Sequence, residues 1–435
     1  MAESLKGAER IQELMEAFPA MPRSIVLKTD AVREGMRHTP VMDQLGTWAI
    51  PDTHAIFEFD HDETHSVDSA SHTHPLAPIM FHFKSGIGVR VMFDNDSPYE
   101  VRYEGFGQYR LYRDGDAMEE VFFPPKPNWL GLRTSSGKLM STVMELRGET
   151  CLYLAPSTYC EYFGKELGCT FCNINPTGAR QKEMGMERLT VKRGEDVTET
   201  YIAAAREDVD GRINHVELTG GAFLDRKKEA DLYVNMVQAI QRGIEQTHGS
   251  SKKVRITAAP QALDEEGQRR IRDAGATSMC HPMEVWDKRL FEIICPGKTQ
   301  NVGWEGWLEA VVRNVDIYGW GSAITTFVGG VEMAQPWGFK TMDEALESTL
   351  SGFEYLAQRG VRAGFILWRR APGSRLQDLQ RPPTEYALRL ELGRHQLSMK
   401  YGLYRGDAYQ PPVHPGCSSH RTNMDWVHLD PSLAS

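Results

Sequence analysis

The sequence predicts a mixed α/β chain: a partial (β/α)6 barrel over residues 146–403, an N-terminal β-rich domain (1–145) and a C-terminal tail (404–435). Three observations carry this. From about residue 150, six apolar strand-like runs alternate with helical patterns, and such alternation implies a parallel sheet with helical crossovers. Six units in a row favour a barrel of TIM type over a doubly wound sheet. The first third instead carries short apolar runs separated by turn residues, and residues 406–435 have prolines, histidines and no period.

The elements follow in order. Ile11, Leu14, Met15 and Phe18 recur at helical spacing and predict a short amphipathic helix. Strands are expected at Ser24–Lys28, Ala55–Phe59, Ile79–Phe83, Gly88–Phe93 and Tyr99–Tyr103, with turns at Asp94-Asn95-Asp96 and Asp114-Gly115-Asp116. Together they predict a small antiparallel sheet. Phe122-Phe123-Pro124-Pro125-Lys126-Pro127 reads as an extended linker. The barrel opens with a strand at Thr150–Pro156, a helix at Glu195–Arg206, a strand at Asn214–Leu218 and a long helix at Lys227–Thr247. A strand at Lys253–Ala258 leads to a helix at Asp264–Asp273, ending at Gly275, the expected C-terminal glycine. Next come a strand at Ala276–Val285, a helix at Trp304–Ile317 and a strand at Ser322–Val328. Thr341-x-x-Glu344 is a capping box that opens a helix to Gln358, stopped by Gly360. A strand at Val361–Leu367 and a helix at Glu385–Tyr401 complete the series. In a parallel barrel the chemistry sits at the C-terminal ends of strands.

The chain has 435 residues and a formal net charge of −10, with 25% charged residues. The acidic balance argues against nucleic acid as a partner, since phosphate contact needs clustered Lys and Arg. No apolar run reaches bilayer-spanning length, so no membrane partner is expected. Acids in Met1–Pro22 stand where a secretion signal would be apolar, and a cytoplasmic protein is expected. Seven cysteines in such a chain do not read as a disulfide framework. They raise metal binding or catalysis instead.

Their spacing is informative. Cys160, Cys169 and Cys172 form a C-x8-C-x2-C pattern in a glycine-containing loop after the first barrel strand. Three thiolates close in sequence suit a soft metal or an iron–sulfur cluster. A structural zinc wants four protein ligands, and no fourth Cys or His follows at finger-like spacing. Three cysteines on a four-iron cluster leave one iron open to a small molecule. A tight turn with incidental thiols is the alternative.

On these residues the sequence resembles the radical S-adenosylmethionine (SAM) superfamily, and its biotin synthase-like branch in particular. The family's usual spacing is C-x3-C-x2-C. Here the second interval and the aromatic Phe171 before the last cysteine match, while the first interval is lengthened. Eight residues easily bring their ends together, so the longer loop does not prevent ligation. The resemblance covers about 150–400 and implies a [4Fe–4S] cluster on Cys160, Cys169 and Cys172 with SAM chelating the open iron. It further implies reductive SAM cleavage to a 5′-deoxyadenosyl radical, hydrogen abstraction from a small-molecule substrate, and an electron donor of flavodoxin or ferredoxin type. Leu218-Thr219-Gly220-Gly221 matches the glycine motif whose backbone receives the SAM amino group. Two glycines at a strand end let backbone approach a ligand closely. His281-Pro282-Met283-Glu284 places a carboxylate where relatives contact the ribose or amino group. Phe327-Val328-Gly329-Gly330-Val331-Glu332 resembles the segment bordering the adenine, hence Gly330 and Val331. Leu367 to Ser374 resembles the family's late strand end. Trp304–Leu308 lacks the Arg that relatives use for the SAM carboxylate, and Lys298 is the nearby cation offered in its place.

The remaining residues bear on the reaction. Cys151, Cys280, Cys295 and Cys417 are dispersed, with none at the matching parts of strands 214–218, 253–258 or 322–328, which disfavours sulfur insertion through a second cluster. Cys280 reads as a buried thiol, and Cys417-Ser-Ser-His420 as a tail feature or a pair reaching the barrel mouth. Six of 14 histidines (His54, His61, His65, His72, His74, His82) fall in a polar loop with irregular spacing. Arg369 and Arg370 end the sixth strand, where two guanidiniums would suit a substrate carboxylate or phosphate. The expected outcome is methyl or methylene transfer or carbon-skeleton rearrangement. A non-catalytic iron–sulfur or zinc protein, and a sulfur-inserting enzyme, are the alternatives.

Overall fold

The computed structural model describes residues 7–45, 80–148, 150–183, 185, 188–249, 253–405 and 420–434. The strand expected at Ala55–Phe59, the histidine-rich loop apart from His82, and Cys417 lie outside them.

The chain begins with helices α1 (Gly7–Ala17), α2 (Arg23–Glu34) and α3 (Pro40–Leu45). Five strands follow: β1 (Met80–Phe83), β2 (Gly88–Arg90), β3 (Tyr99–Gly105), β4 (Gln108–Arg113) and β5 (Asp116–Phe122). They form one antiparallel sheet in the order β2-β1-β5-β4-β3. Asp114-Gly115 makes the β4–β5 turn with φ of 48° and 86°, the left-handed pair that a two-residue hairpin prefers. Ser24–Lys28 is not a strand but part of α2. The physical reason is burial: Ile25 to Val32 are all buried, so this helix is covered all round and its apolar run lacks a helical stripe. Only α1 keeps the amphipathic pattern, burying Ile11 and Leu14.

The second half alternates as expected. In chain order come α4 (Met140–Val143), β6 (Glu145–Arg147), β7 (Cys151–Leu154), α5 (Ile174–Glu183), α6 (Gly194–Glu207), β8 (His215–Thr219), α7 (Arg226–His248), β9 (Arg255–Ala259), α8 (Glu265–Asp273) and β10 (Ser278–Cys280). Then follow α9 (Lys288–Ile294), α10 (Pro296–Asn301), α11 (Trp304–Tyr318), β11 (Ala323–Gly329), α12 (Met342–Ala357), β12 (Val361–Leu367), α13 (Thr384–Lys400) and α14 (Asp425–Leu429). Strands β7 to β12 are parallel neighbours in sequence order, and β6 pairs antiparallel on the β7 edge. The sheet is an open half-barrel. Among the described residues no helix is long and apolar enough to cross a membrane.

Strand β10 is much shorter than its apolar run Ala276–Val285. Pro282 has no N–H to give the ladder, and Glu284 takes φ +67°. Pairing resumes only at the single bridge Glu284–Phe327. This break turns Glu284 away from regular strand geometry at the barrel mouth.

Side chains alternate across the sheet. Val216, Leu218, Ile256, Ala258 and Met279 face outward and join the core under α6, α7 and α8. His215, Glu217, Thr219, Arg255, Thr257 and Cys280 face the concave side. The inner face over β8 to β10 is therefore largely polar, while β11 and β12 present Ile324, Val328 and Ile366 to the cavity. The core around the first sheet takes in Leu388 of α13, Tyr404, Trp426 and Val427. Lys28 of α2 and Asp425 of α14 form an ion pair at 2.7 Å, both side chains fully buried.

Candidate active site

A cavity of about 370 Å³ runs along the concave face. Cys160, Cys169, Cys172, Phe171, Thr219, Gly220, Gly221, Glu284 and Lys298 all line it. Residues up to 138 positions apart in the sequence are thus gathered at the C-terminal ends of β7, β8 and β10.

The cysteine loop is clamped from several sides. Asn175 accepts from the Cys160 N–H (2.8 Å) and donates back to the Cys160 carbonyl (3.0 Å). The Glu161 N–H donates to Ala222 beyond β8 (2.8 Å), and Thr170 N–H to Ile294 at the end of α9 (2.8 Å). Tyr162 donates to Gln261 beyond β9 at 2.7 Å and accepts from Asn301 of α10 at 3.1 Å. The unforeseen helices α9 and α10 are thus the loop's outer support. The glycine pair has a structural duty of its own. A Cβ on Gly220 would stand 2.4 Å from the Ser157 carbonyl oxygen, and one on Gly221 2.1 Å from that of Tyr159. Backbone of the cysteine loop approaches β8 so closely that only glycine fits.

Burial raises the Cys160 thiol to about 11, with Cys169 adding to the effect. Burial also raises Cys172. Cys169 is lowered instead, first by a hydrogen bond from the Cys295 thiol, with Lys298 contributing. Cys295 is therefore a neighbour of the loop, a role its isolated position in the sequence does not announce. Lys298 is no surface lysine. It is 8% exposed, and its ammonium donates to Glu284 (2.6 Å) and to the Pro282 carbonyl (2.6 Å). It also sits 4.3 Å from the Trp307 ring centroid. Burial pulls its pKa down, but Glu284 and the Cys169 and Cys295 thiols outweigh this and leave it raised.

Four expected residues are placed differently. Arg369 lines the cavity, but it donates to the Val32 carbonyl, while Arg370 is exposed and away from the cavity. The two successive arginines point to opposite sides, so they do not form one anion fork. Gly330 and Val331 do not line the cavity; Val331 is fully buried in the core, and Phe327 and Val328 border the cavity in their place. Glu332 also has a local duty, accepting from the Gly330 N–H (2.8 Å), Thr349 (3.1 Å) and Tyr386.

Sequence reading missed the deep end of the cavity. Tyr153, Glu217, Arg255, Arg147 and Arg421 line it. The available signal was period-two polarity inside the strands, as in His215-Val-Glu217-Leu-Thr219. Nothing local to the tail marks Arg421.

The donor set fits the expected cluster. Three thiols line one cavity, beside a backbone seat that glycine keeps open. Among the described residues no three His, Cys, Asp or Glu side chains converge on a single-ion position.

No protein-family profile matches the chain. It is 20% identical over 287 residues to a bacteriochlorophyllide c C-7(1)-hydroxylase of Chlorobaculum limnaeum, covering 65% of this chain and 67% of that protein. Among solved structures it is similar to methylornithine synthase (PylB), with 19% identity and a TM-score of 0.39 over 57% of this chain and 64% of that one. It is also similar to a radical SAM methyltransferase from Sphaerobacter thermophilus, with 15% identity and a TM-score of 0.39 over 90% and 91%. The chain spans less than two thirds of the length of the methylornithine synthase.

Proposed function

We propose that this chain is a radical SAM enzyme that acts on a small molecule. The observation that carries the proposal is the meeting of Cys160, Cys169 and Cys172 with the glycine pair and the Lys298–Glu284 pair around one cavity. Cys160, Cys169 and Cys172 would hold the [4Fe–4S] cluster. When bound, cluster and SAM supply one-electron reductive cleavage of SAM and removal of a hydrogen atom from the substrate.

The chain's own residues prepare the site. The contacts to Asn175, Ala222, Ile294 and Gln261 fix the loop before ligands arrive, and such preorganisation places the thiols without later rearrangement. Thr219, Gly220 and Gly221 would present backbone to the SAM amino group, and Phe171 would wall the site. Glu284 would accept from ribose O–H or amino N–H groups while its other contact, Lys298, stays charged for the SAM carboxylate. Lys298 offers a point charge and not a fork, so it tolerates sharing between Glu284 and a second carboxylate. Phe327, Val328 and Trp368 exclude water from the rim. The likeness to a hydroxylase over 65% of this chain and 67% of that protein supports an enzymatic reading.

The finer reading includes the biotin synthase-like branch, a flavodoxin or ferredoxin-type electron donor, a cytoplasmic setting, and division at about 145 and 404. The reaction that follows hydrogen abstraction is methyl or methylene transfer or carbon-skeleton rearrangement.

The test is anaerobic reconstitution with iron and sulfide, followed by SAM and a reductant. About four irons per chain and 5′-deoxyadenosine are expected. The triple replacement of Cys160, Cys169 and Cys172 by Ala removes both. Iron retained in that variant, or a cluster that never yields 5′-deoxyadenosine, refutes the proposal.

A further inference from the structure

Beyond the glycine pair the chain buries a carboxylate that does not line the cavity. Glu229 stands in the first turn of α7, whose positive end favours a negative charge. It is 1% exposed. Both of its oxygens are held by N–H donors. One accepts from the Gln261 N–H at 2.7 Å, the other from the Phe223 N–H at 2.8 Å and the Gln261 side-chain amide at 2.6 Å. Phe223 follows the glycines of the β8 end, and Gln261 follows β9. A single carboxylate therefore ties two neighbouring strand ends together.

Gln261 carries the connection onward, and its orientation is forced. Its Nε2 faces the Phe223 carbonyl and the Glu229 carboxylate, which can only accept. Its Oε1 therefore faces the cysteine loop, where it accepts from the Tyr162 hydroxyl at 2.7 Å and the Asn301 amide at 2.9 Å. Tyr162 is two residues from Cys160, and Asn301 shares helix α10 with Lys298. Gly297 backs the Tyr162 ring: a Cβ there would stand 2.5 Å from it. The series Glu229, Gln261, Tyr162, Asn301 thus joins the backbone seat, the thiol loop and the helix that carries the cavity's lysine.

We propose that Glu229 is a positioning residue: through Gln261 and Tyr162 it sets the thiols against the glycine seat, and so the fit of SAM between them. Its role toward SAM rests on the radical SAM reading above; its hold on the loop does not. Glutamine cannot replace it. Whichever way that amide turns, its NH2 meets an N–H donor, of Gln261 or of Phe223, and one strand end comes free. Burial raises the Glu229 carboxyl to about 7, while the N–H contacts and Lys298 hold it down, so measurements at pH 8 address the ionised form.

The test uses the full-length chain in two states. In the metal-free protein, amide hydrogen exchange is followed by mass spectrometry. Glu229→Gln is expected to speed exchange at least about tenfold in peptides covering 160–172 and 220–224, with α12 unchanged. Tyr162→Phe speeds only 160–172, because the contact of Glu229 to Phe223 survives. It alone carries the test should Glu229→Gln not fold. Glu245→Gln, exposed on the same helix, changes neither peptide. In the anaerobically reconstituted protein, SAM affinity is read by equilibrium dialysis and by the change SAM makes in the electron paramagnetic resonance spectrum of the reduced cluster. Glu229→Gln lowers the affinity at least about tenfold with iron content retained. The double variant Glu229→Gln/Tyr162→Phe loses less than the sum of the two, since both act on one series of contacts. A Glu229 that merely stabilises the fold would lower the melting temperature and leave SAM affinity at the wild-type value; that result overturns the proposal, as does unchanged exchange in both peptides. A wild-type chain that binds no SAM overturns the radical SAM reading instead, and the exchange result then decides by itself whether Glu229 holds the loop.

Discussion

Gly221 shows how one residue type serves two purposes. Its place at a strand end was legible in the sequence as a backbone seat for a ligand. The contact that demands glycine is to the Tyr159 carbonyl of the cysteine loop, and no local pattern reveals it. Gly221→Ala forces the loop outward, since overpacking of this kind costs about 1–3 kcal/mol and is met by backbone movement. Reconstituted Gly221→Ala is expected to hold less iron per chain than the wild type and to unfold at lower temperature. Gly131, with open space around its Cβ position and no positive φ, provides the control: Gly131→Ala should retain full iron content. Lys298 and Cys295 make the same point at residue scale. Cys295 reads as incidental in the chain and Lys298 only as a cation near a missing arginine, and both lie against the loop once α9 and α10 fold between β10 and α11.

At the scale of elements, the repeating half was readable because its signals are local. Asp225 and Asp264 cap α7 and α8, and the expected capping box is formed, with Thr341 accepting from Glu344 N–H at 3.2 Å. Thr341→Ala is expected to destabilise α12 by about 1 kcal/mol. In a chain of this size that lowers the thermal midpoint by roughly 1–2 °C, with iron content unchanged. Elements were misread where tertiary burial overrides the local pattern. Helix α2 is covered on every side and so resembles a strand. Strand β10 is cut short at His281-Pro282 although its apolar run continues. Strand β6, too short to register as a run, exists by pairing with β7.

At the scale of the whole molecule, the two ends of the chain meet. Asp425 of α14 is buried against Lys28 of α2, and Trp426 donates to Glu391 of α13 at 2.7 Å. The C-terminal segment is thereby fixed where it inserts Arg421 into the cavity. Breaking one side of a fully buried ion pair leaves an uncompensated charge and costs about 3–5 kcal/mol. Lys28→Met is therefore expected to lower stability to chemical denaturation markedly and to expose the C-terminal segment to protease. The double variant Lys28→Met/Asp425→Leu should recover most of the loss, because the charge left behind is gone. Equal destabilisation in the single and double variants would show that the pair does not anchor the segment.

The sequence by itself determined the repeating strand–helix order, the helix caps, and the close spacing of three thiols in one loop. Each is written in residues close enough to interact along the chain. Tertiary structure alone decided which charges share the cavity, why Arg369 and Arg370 part ways, and where the tail goes. Those depend on contacts between residues hundreds of positions apart, such as Glu217 with Arg421 and Lys28 with Asp425. Such contacts follow from sheet curvature and burial, which no local spacing encodes.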